Sequence, residues 1–376
     1  MKNIISVLLA FIMVFSTIMP VHSEEEKEMK ISAKSVILIE QTTGTVLYEQ
    51  EANVQRPPAS TTKIMTALIA LEKGSLDAEF VVSTTSAAVD GSQIGLLAGD
   101  KITLKDLLHM LLLKSANDAA ETIAENIAGS NAEFAKLMND RAAEIGCKNT
   151  NFMNPHGLPD DNHLTTAYDL ALIAREAMKN EEFCKIVKKE TAILDYHKIA
   201  IANSNKLLKM DENFNGIKTG FTKKAGRCLV SSATNDNATL ICVTLDASDD
   251  WNDHKTLMGY GFTRVATTVI MNEGEYSASR NVLNGNKSAC LLNSTPLYGI
   301  EIDGKPVEYE YQQNIVPVLF APLQANKICG EVCLKYNGQI VSKSTLYNSE
   351  LVLEKETELG PWQIFKNNLK RLLCFL

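Results

Sequence analysis

Apolar runs of strand length, separated by short polar turns, stand at both ends of the first 270 residues. The runs that face each other across a turn are Ser35–Ile39 with Thr45–Tyr48, and Arg227–Ser232 with Ala238–Thr244. Each pair predicts a β-hairpin. The region between them, about 68–188, is helical in character. Strands at both ends with helices between predict an α+β domain over 32–269, in which one antiparallel sheet is flanked by a helical lobe.

The pattern changes from about residue 272. Short strand-like pieces alternate there with Gly and Asn turns, at Ser288–Leu292, Asn314–Phe320 and Glu331–Lys335. They predict a small all-β domain over 272–356. Its residues suggest no chemistry, so a spacer and a partner-binding module are both open interpretations, with the spacer favoured.

Both ends of the chain have patterns of their own. Residues 1–23 combine Lys2, an apolar stretch and a small residue before the acidic run at 24–26, which predicts a cleaved secretory signal rather than an uncut anchor.

Residues 361–376 form an amphipathic stripe that is too short to cross a bilayer. Its apolar members are Trp362, Phe365, Leu369, Leu372, Leu373 and Leu376, and its basic ones Lys366, Lys370 and Arg371. The stripe predicts a helix lying on the membrane surface, the alternative being a terminal helix packed on the core.

Composition narrows the possible partners. With 376 residues and 45% hydrophobic content the chain can bury the cores of two domains. A net charge of -8 without a basic stripe predicts no binding to nucleic acid.

The eight cysteines are compatible with disulfides after export, although Cys228 and Cys242 lie in predicted core strands, where free thiols pack well. No Cys or His spacing suggests zinc, so we expect neither a metal nor a cofactor.

The tetrapeptide from Ser60 to Lys63 is the first of three candidate catalytic motifs. It precedes an apolar helical run that ends near Gly74, so Ser60 is expected at a helix N-terminus with Lys63 on the same face. A neutral lysine amine can take the hydroxyl proton of a serine nucleophile. Burial and a second cation, for which Lys218 is the candidate, would lower the pKa of Lys63 enough for its amine to be neutral. The alternative is that Ser60 only caps the helix.

The second motif, Ser115-Ala-Asn117, is predicted in a turn between two helices, the second beginning near Asp118. Turns of this kind present side chains to clefts. Ser115 is a candidate proton relay and Asn117 a candidate ligand for a substrate amide. A simple capping role is the alternative.

The third motif, Lys218-Thr219-Gly220, lies in a short strand predicted at a sheet edge. Lys218 and Thr219 are suited to bind a carboxylate, while Gly220 allows close backbone approach. The backbone N–H of Phe221 can join that of Ser60 in an oxyanion hole. A phosphate-binding loop is excluded, because the spaced glycines and the following helix of that motif are missing.

The three motifs in this order resemble those of the penicillin-recognising serine acyltransferases, and among them the low-molecular-mass D-alanyl-D-alanine carboxypeptidases. The segments Asn151–Asp160, His163–Asp169 and Asn203–Leu207 also resemble this family, and the similarity runs from about Ser32 to the C-terminus. It implies a DD-peptidase-like fold and the removal of terminal D-alanine from peptidoglycan stem peptides outside the cell. It also implies inhibition by β-lactams, which mimic the end of the stem peptide.

The family assigns acylation to Ser60, base work to Lys63, proton relay to Ser115, amide binding to Asn117 and carboxylate recognition to Lys218 and Thr219. Two positions depart from the pattern. Phe221 stands where relatives often have a polar residue, and Asp246–His254 lacks the basic residue that some members place there. The departures bear on carboxylate anchoring and turnover rate rather than on reaction type.

Two other classes share the motifs. A serine β-lactamase needs a device for fast deacylation, commonly a glutamate with water. Glu176 and Asn180 offer these residue types, but they continue a helix predicted over Tyr168–Met178 and are interpreted as its solvated face. A penicillin-binding scaffold without turnover predicts a damaged motif, and all three motifs are intact. No histidine–aspartate partner for Ser60 is evident, and His163 is interpreted as structural.

Overall fold

A computed structural model describes residues 29–236 and 238–355, together with residues 360, 362, 365, 366 and 369. The α-helices of the described residues are α1 (Lys63–Lys73), α2 (Thr84–Ala87), α3 (Leu104–Leu113), α4 (Asn117–Ala128), α5 (Asn131–Ile145), α6 (Ala167–Ala177), α7 (Glu181–Val187) and α8 (Asp250–Arg264). Short 3-10 turns cover Ala59–Thr62, Tyr196–Lys198 and Lys206–Lys209.

The strands fall into two groups along the chain. Those up to residue 247 are β1 (Ser35–Glu40), β2 (Val46–Gln50), β3 (Glu79–Val81), β4 (Lys101–Thr103), β5 (Thr191–Ile193), β6 (Ala200–Ala202), β7 (Phe214–Thr222), β8 (Gly226–Asn235) and β9 (Ala238–Ala247). The later ones are β10 (Val265–Met271), β11 (Ser277–Arg280), β12 (Val282–Leu283), β13 (Ala289–Asn293), β14 (Leu297–Ile302), β15 (Lys305–Pro306), β16 (Glu310–Ile315), β17 (Leu319–Phe320), β18 (Ile328–Tyr336) and β19 (Gln339–Asn348).

A five-stranded antiparallel sheet, in the order β2-β1-β9-β8-β7, organises the first part of the chain. Both predicted hairpins are present in it, as β1–β2 and β8–β9, so those predictions are confirmed. Every residue of β1 is buried, because the sheet is covered on both faces. β7 lies at the outer edge, with one side free to face the helical lobe.

Helix α8 covers one face of the sheet at close range. A Cβ at Gly261 would lie 2.6 Å from Leu240 Cδ1 and 2.7 Å from Leu38 Cδ2, so the absent side chain lets the helix approach. Buried His254 on the same helix bonds Ser231 and Thr244 of the sheet through its two ring nitrogens. The back of the sheet is therefore fixed by both apolar and polar contacts.

The helical lobe packs against the other face around α1. Residues from Lys63 to Ala70 are all buried, so this helix is surrounded rather than half-exposed. It ends at Gly74, as predicted. The lobe is less uniformly helical than expected, since residues 88–100 and 146–166 form loops. Gly91, Gly95 and Gly99 have positive φ in the first loop, and Asn and Asp side chains bond nearby backbone in the second.

The regular secondary structure of residues 265–355 is entirely β. It contains a sheet in the order β11-β13-β19-β18-β16, a smaller one in the order β10-β14-β15, and the pair β12–β17. The expected strand at 314–320 is split into β16 and β17, because Pro317 between them has no N–H for the ladder. A separate core that includes Leu291, Val332 and Leu346 lies inside. The predicted fold class, α+β with a small C-terminal β region, is confirmed.

The predicted signal segment, residues 1–23, lies outside the described residues. Of the predicted surface helix, Trp362, Phe365 and Leu369 have helical backbone and exposed side chains, and residues 370–376 are not described. Across the described residues, no helix has the length and apolar character needed to cross a membrane.

Candidate active site

Ser60 lies in the 3-10 turn that leads directly into α1. The hydroxyl of Thr61 donates to the carbonyl of Pro58 at 2.7 Å, and that of Thr62 donates to the carbonyl of Ala59 at 2.8 Å. These bonds brace the turn from inside and leave Ser60 facing outward. The predicted position at a helix N-terminus is confirmed.

Lys63 is fully buried one turn further on, and its amine has three neighbours. Lys63 Nζ lies 3.0 Å from Ser60 Oγ, 2.7 Å from Asn117 Oδ1 and 2.7 Å from the carbonyl oxygen of His156. The predicted pairing of Ser60 with Lys63 is therefore present. Asn117 of the second motif joins the same cluster.

Burial sets the protonation of this cluster. It lowers the pKa of Lys218 to about 7. Burial, followed by the positive charge of Lys218, holds the pKa of Lys63 well below its usual range, although Asp118 opposes the shift. Both effects favour the uncharged form of Lys63, an amine beside a hydroxyl that it can deprotonate.

The second motif fills the turn between α3 and α4. Ser115 adopts φ 62°, and Asn117 begins α4, one residue earlier than expected. The backbone N–H of Asn117 donates to the carbonyl of Ser92, and its side-chain Nδ2 to that of Asp90. The carboxylate of Asp118 accepts the backbone N–H of Ala119 in its own helix and also those of residues 94–96 in the neighbouring loop. The motif therefore ties the loop at 88–100 to the base of the site.

The third motif lies on β7, which is longer than the short strand expected. Lys218 is 1% exposed, and its amine donates to the carbonyl of Thr219 at 2.7 Å. A Cβ at Gly220 would lie 3.0 Å from the backbone nitrogen of Ser60 and 3.1 Å from that of Thr61. Any side chain there would press on the turn that holds Ser60, so glycine lets the edge strand lie against that turn.

An open cleft of about 360 Å³ lies over these groups. Its lining residues are Ser60, Ser92, Lys114, Ser115, Ser204, Lys206, Thr219, Gly220, Phe221, Arg227, Asp250 and Trp251. The structure thus brings members of all three motifs to one cleft. Lys63, Asn117 and Lys218 are buried and do not line it.

Arg227 is a cleft residue that the sequence analysis missed. It lies on β8 opposite Phe221, and its guanidinium bonds the buried carboxylate of Asp250 at 2.8 Å and lies over the ring of Trp251. Its place on β8 differs from the segment after β9, Asp246–His254, where a basic residue was expected and is missing. The register between β7 and β8 could have identified Arg227, because residues that pair across two strands place their side chains on the same face of the sheet.

Histidines lie behind the cleft rather than in it. His163 is 2% exposed; its Nε2 is 2.9 Å from the hydroxyl of Thr62, and its Nδ1 accepts from the backbone N–H of Met153. Burial lowers its pKa to about 4, so it is neutral and braces the wall, as interpreted from the sequence. The carbonyl of His156, which Lys63 bonds, was not anticipated.

Glu176 is far from the nucleophile. It bonds Arg141, which also bonds Glu72. Lys63 is the first residue of α1, and Glu72 is near its last. Glu72 lies nine positions after Lys63 along the helix, which is a rise of about 14 Å at 1.5 Å per residue. The interpretation of Glu176 as part of a helix surface agrees with this ion-pair network.

Replacing Lys218 by methionine is expected to stabilise the fold at neutral pH. Between about pH 7 and 10 the unfolded chain holds a proton on this amine that the folded protein lacks, so the free energy of unfolding of the parent rises with pH over this window. We expect Lys218→Met to exceed the parent by about 1–4 kcal/mol at pH 7, because it removes a buried cation. The difference in the free energy of unfolding between Lys218→Met and the parent should shrink toward pH 10, as measured by urea unfolding.

The matched control is Lys114→Met, since Lys114 is an exposed lysine of the same cleft. Its free energy of unfolding should follow that of the parent at both pH values. Equal stability of Lys218→Met and the parent at pH 7 would contradict the assignment of Lys218 as a strained, buried amine.

Comparison with known proteins agrees with this geometry. Residues 21–249 match the family model described as D-alanyl-D-alanine carboxypeptidase. The chain is 33% identical to D-alanyl-D-alanine carboxypeptidase DacF of Bacillus subtilis, over 97% of this chain and 100% of that protein. It is 32% identical to DacA of Escherichia coli, over 84% of this chain and 83% of the other.

Solved structures give the same picture. Penicillin binding protein 5 from Haemophilus influenzae superposes with a TM-score of 0.62 at 28% identity, covering 87% of this chain and 99% of that one. A point mutant of the Streptomyces K15 DD-transpeptidase gives 0.59 at 32% identity, covering 63% of this chain and 100% of that one. Fold, motif geometry and similarity agree: the chain belongs to the D-alanyl-D-alanine carboxypeptidase family of serine peptidases.

Proposed function

We propose that Ser60 is the nucleophile with which this D-alanyl-D-alanine carboxypeptidase trims peptidoglycan stem peptides. The observation that carries the proposal is the 3.0 Å contact between Ser60 Oγ and the buried amine of Lys63, whose pKa lies well below its usual range. Lys63 takes the hydroxyl proton as Ser60 Oγ bonds the carbonyl carbon of the penultimate D-alanine. The bond to the terminal D-alanine nitrogen then breaks, and that nitrogen receives the proton through Ser115. Water releases the shortened peptide from Ser60.

The backbone N–H groups of Ser60 and Phe221 are assigned to the oxyanion hole. The close approach of β7 at Gly220 supports this, because it brings the two backbones to one side of the reacting carbonyl. Thr219 in the cleft and the cation of Lys218 behind it attract the terminal carboxylate. Asn117 orients the base with its Oδ1. It is buried below the cleft, so its second amide N–H would reach the peptide bond of the substrate from beneath.

β-Lactams meet the same groups, since a strained amide and a nearby carboxylate reproduce the end of the substrate. The resulting acyl-enzyme is expected to hydrolyse slowly. Asp250 is the only acidic residue among those that line the described cleft, and its carboxylate is already bonded to Arg227. This arrangement supports a carboxypeptidase over an antibiotic-destroying enzyme.

Ser60→Ala is expected to abolish both D-alanine release from a peptide ending in D-Ala-D-Ala and the penicillin adduct, because no other cleft hydroxyl contacts Lys63 among the described residues. Released D-alanine and intact-protein mass spectrometry are the measurements. Ser92→Ala, which removes another exposed serine of the cleft, should keep the adduct. An adduct on folded Ser60→Ala would refute the assignment.

Arg227 is proposed as a second anchor for the terminal carboxylate. Asp250 and Trp251 hold one edge of the guanidinium, which leaves further N–H donors for the cleft. An arginine on β8 would supply the positive charge that the segment after β9 lacks. A charged hydrogen bond to a carboxylate contributes about 1.5–3 kcal/mol.

Arg227→Ala should therefore lower kcat/KM for a free D-Ala-D-Ala terminus by about 10–100-fold, and Arg227→Lys by less, because lysine keeps the charge but not the fork. The same peptide with a C-terminal amide separates charge recognition from general damage, since Arg227→Ala should affect it little. Lys114→Ala is the control for a cationic residue of the cleft. An equal loss on both peptides would count against the anchor.

Export and surface attachment complete the proposal. DacF and DacA, the relatives named above, are bacterial D-alanyl-D-alanine carboxypeptidases, and residues 1–23 of this chain have the pattern of a secretory signal. We infer that residues 361–376 hold the mature protein on the outer face of the membrane, and that the β domain over 272–356 serves as a spacer for the catalytic domain over 32–269. The exposed Trp362, Phe365 and Leu369 support this, since they offer one apolar stripe.

Removal of residues 357–376 should abolish co-sedimentation with phosphatidylglycerol vesicles while leaving D-alanine release intact. Three basic residues near an anionic surface contribute about 1 kcal/mol each, so phosphatidylcholine vesicles should retain less of the full-length protein. Equal vesicle binding with and without the tail would overturn the anchoring proposal and leave the catalytic one standing.

A further inference from the structure

Lys63 poses a geometric problem that the proposed reaction does not by itself solve. A neutral amine has two N–H bonds and one lone pair, and only the lone pair can accept the serine proton. Three oxygen atoms surround the amine: Ser60 Oγ, Asn117 Oδ1 and the carbonyl of His156. The rate of acylation depends on which of the three faces the lone pair.

Two of these neighbours can only accept. A backbone carbonyl has no hydrogen, and the amide of Asn117 is oriented by its Nδ2, which donates to the carbonyl of Asp90 at 2.6 Å. The two N–H bonds of Lys63 therefore point to Asn117 and to His156. The lone pair is left for the hydroxyl of Ser60.

The carbonyl of His156 thus needs to be as well fixed as Asn117, and its side chain does this. His156 Nδ1 accepts the backbone N–H of Leu158 at 3.1 Å, which leaves the ring proton on Nε2. That proton points to Glu121 Oε1 at 2.8 Å, on α4. The other oxygen of Glu121 accepts from Asn131 at the start of α5. The imidazole is held at both nitrogens.

Protonation agrees with this arrangement. Burial lowers the pKa of His156, so the ring is neutral and donates one hydrogen bond. Burial opposes ionisation of Glu121, but the hydrogen bonds from His156 and Asn131 lower its pKa overall, so it is a carboxylate that accepts two bonds. The pair holds its geometry at neutral pH without titrating.

The backbone next to His156 touches the catalytic turn directly. A Cβ at Gly157 would overlap the carbonyl oxygen of Ala59, and the residue has φ +88°. Thr66 of α1 donates to the carbonyl of Pro155 at 2.6 Å. Any movement of this loop would therefore reach Ser60 and Lys63 together.

We infer that the Glu121–His156 pair is a positioning device for the catalytic base, which locks the His156 carbonyl so that the lone pair of Lys63 is aimed at Ser60. Neither side chain lines the cleft, so both act through Lys63 and not on substrate. The inference rests on the proposed role of Lys63. It predicts a loss in the chemical step with little change in substrate binding.

His156→Ala should lower kcat for D-alanine release, and the rate constant of acylation by a fluorescent penicillin, by about 10–100-fold, the effect of a misplaced catalytic group. KM should stay within about twofold. His156→Gln, whose Nε2 can still donate to Glu121, should recover at least about fivefold of the lost kcat. This rescue distinguishes positioning of the base from general loss of packing.

His254→Ala is the matched control, because His254 is also buried, neutral and bonded at both nitrogens, but lies on α8 behind the sheet. It should lower the free energy of unfolding and leave kcat unchanged at a temperature where every variant is folded. A kcat of His156→Ala within twofold of the parent, or a rise in KM without a fall in kcat, would overturn the inference.

Glu121→Leu decides the matter if His156→Ala does not fold. Leucine cannot accept the Nε2 proton of His156, so the imidazole loses the partner that holds it, and kcat should fall while KM holds. An unchanged kcat in Glu121→Leu would equally overturn the inference. Failure of the parent itself to release D-alanine or to form an adduct on Ser60 would defeat the proposed function instead, so the two failures are distinguishable.

Discussion

Two lysine amines buried near one another impose the main physical constraint on this molecule. A buried cation is costly, and two are costlier, so burial lowers the pKa of Lys63 well below its usual range and that of Lys218 to about 7. The lowered pKa of Lys63 suits the role proposed for it, because a neutral amine beside a hydroxyl can act as a base without a histidine. The surrounding core has to be large, since it must exclude water from both amines and still supply polar partners.

Those partners come from distant parts of the chain. Asn117 arrives on the first turn of α4, the carbonyl of His156 on an irregular loop, and Lys218 on an edge strand that lies much later in the sequence. Small residues make the meeting possible, because Gly157 and Gly220 each lie where a side chain would strike the backbone of the catalytic turn. Close approach of backbones, rather than long side chains, defines the distances around Ser60.

The sequence was sufficient for parts of the structure that depend on local pattern. The two hairpins, the helix after Ser60 and the edge strand with Lys218 follow from apolar runs and turn residues. It was insufficient where position depends on pairing between distant segments. Arg227 enters the cleft only because of the register between β7 and β8, and the carbonyl of His156 carries no side-chain signature at all. The carboxylate of Asp118 also binds the backbone of residues 94–96, a contact between separate segments that only packing decides.

Charge is distributed in accordance with the chemistry. The chain as a whole carries a net charge of -8, yet the cleft is lined by Lys114, Lys206 and Arg227, with Asp250 already paired. A substrate that ends in a carboxylate is attracted to such a cleft, because a local positive field acts over a short range even on an acidic protein. Lys218 adds to that field as it gains a proton, and the same charge lowers the pKa of Lys63. In the proposed function, recognition of the substrate carboxylate and activation of the base are therefore coupled, since both depend on the charge of Lys218.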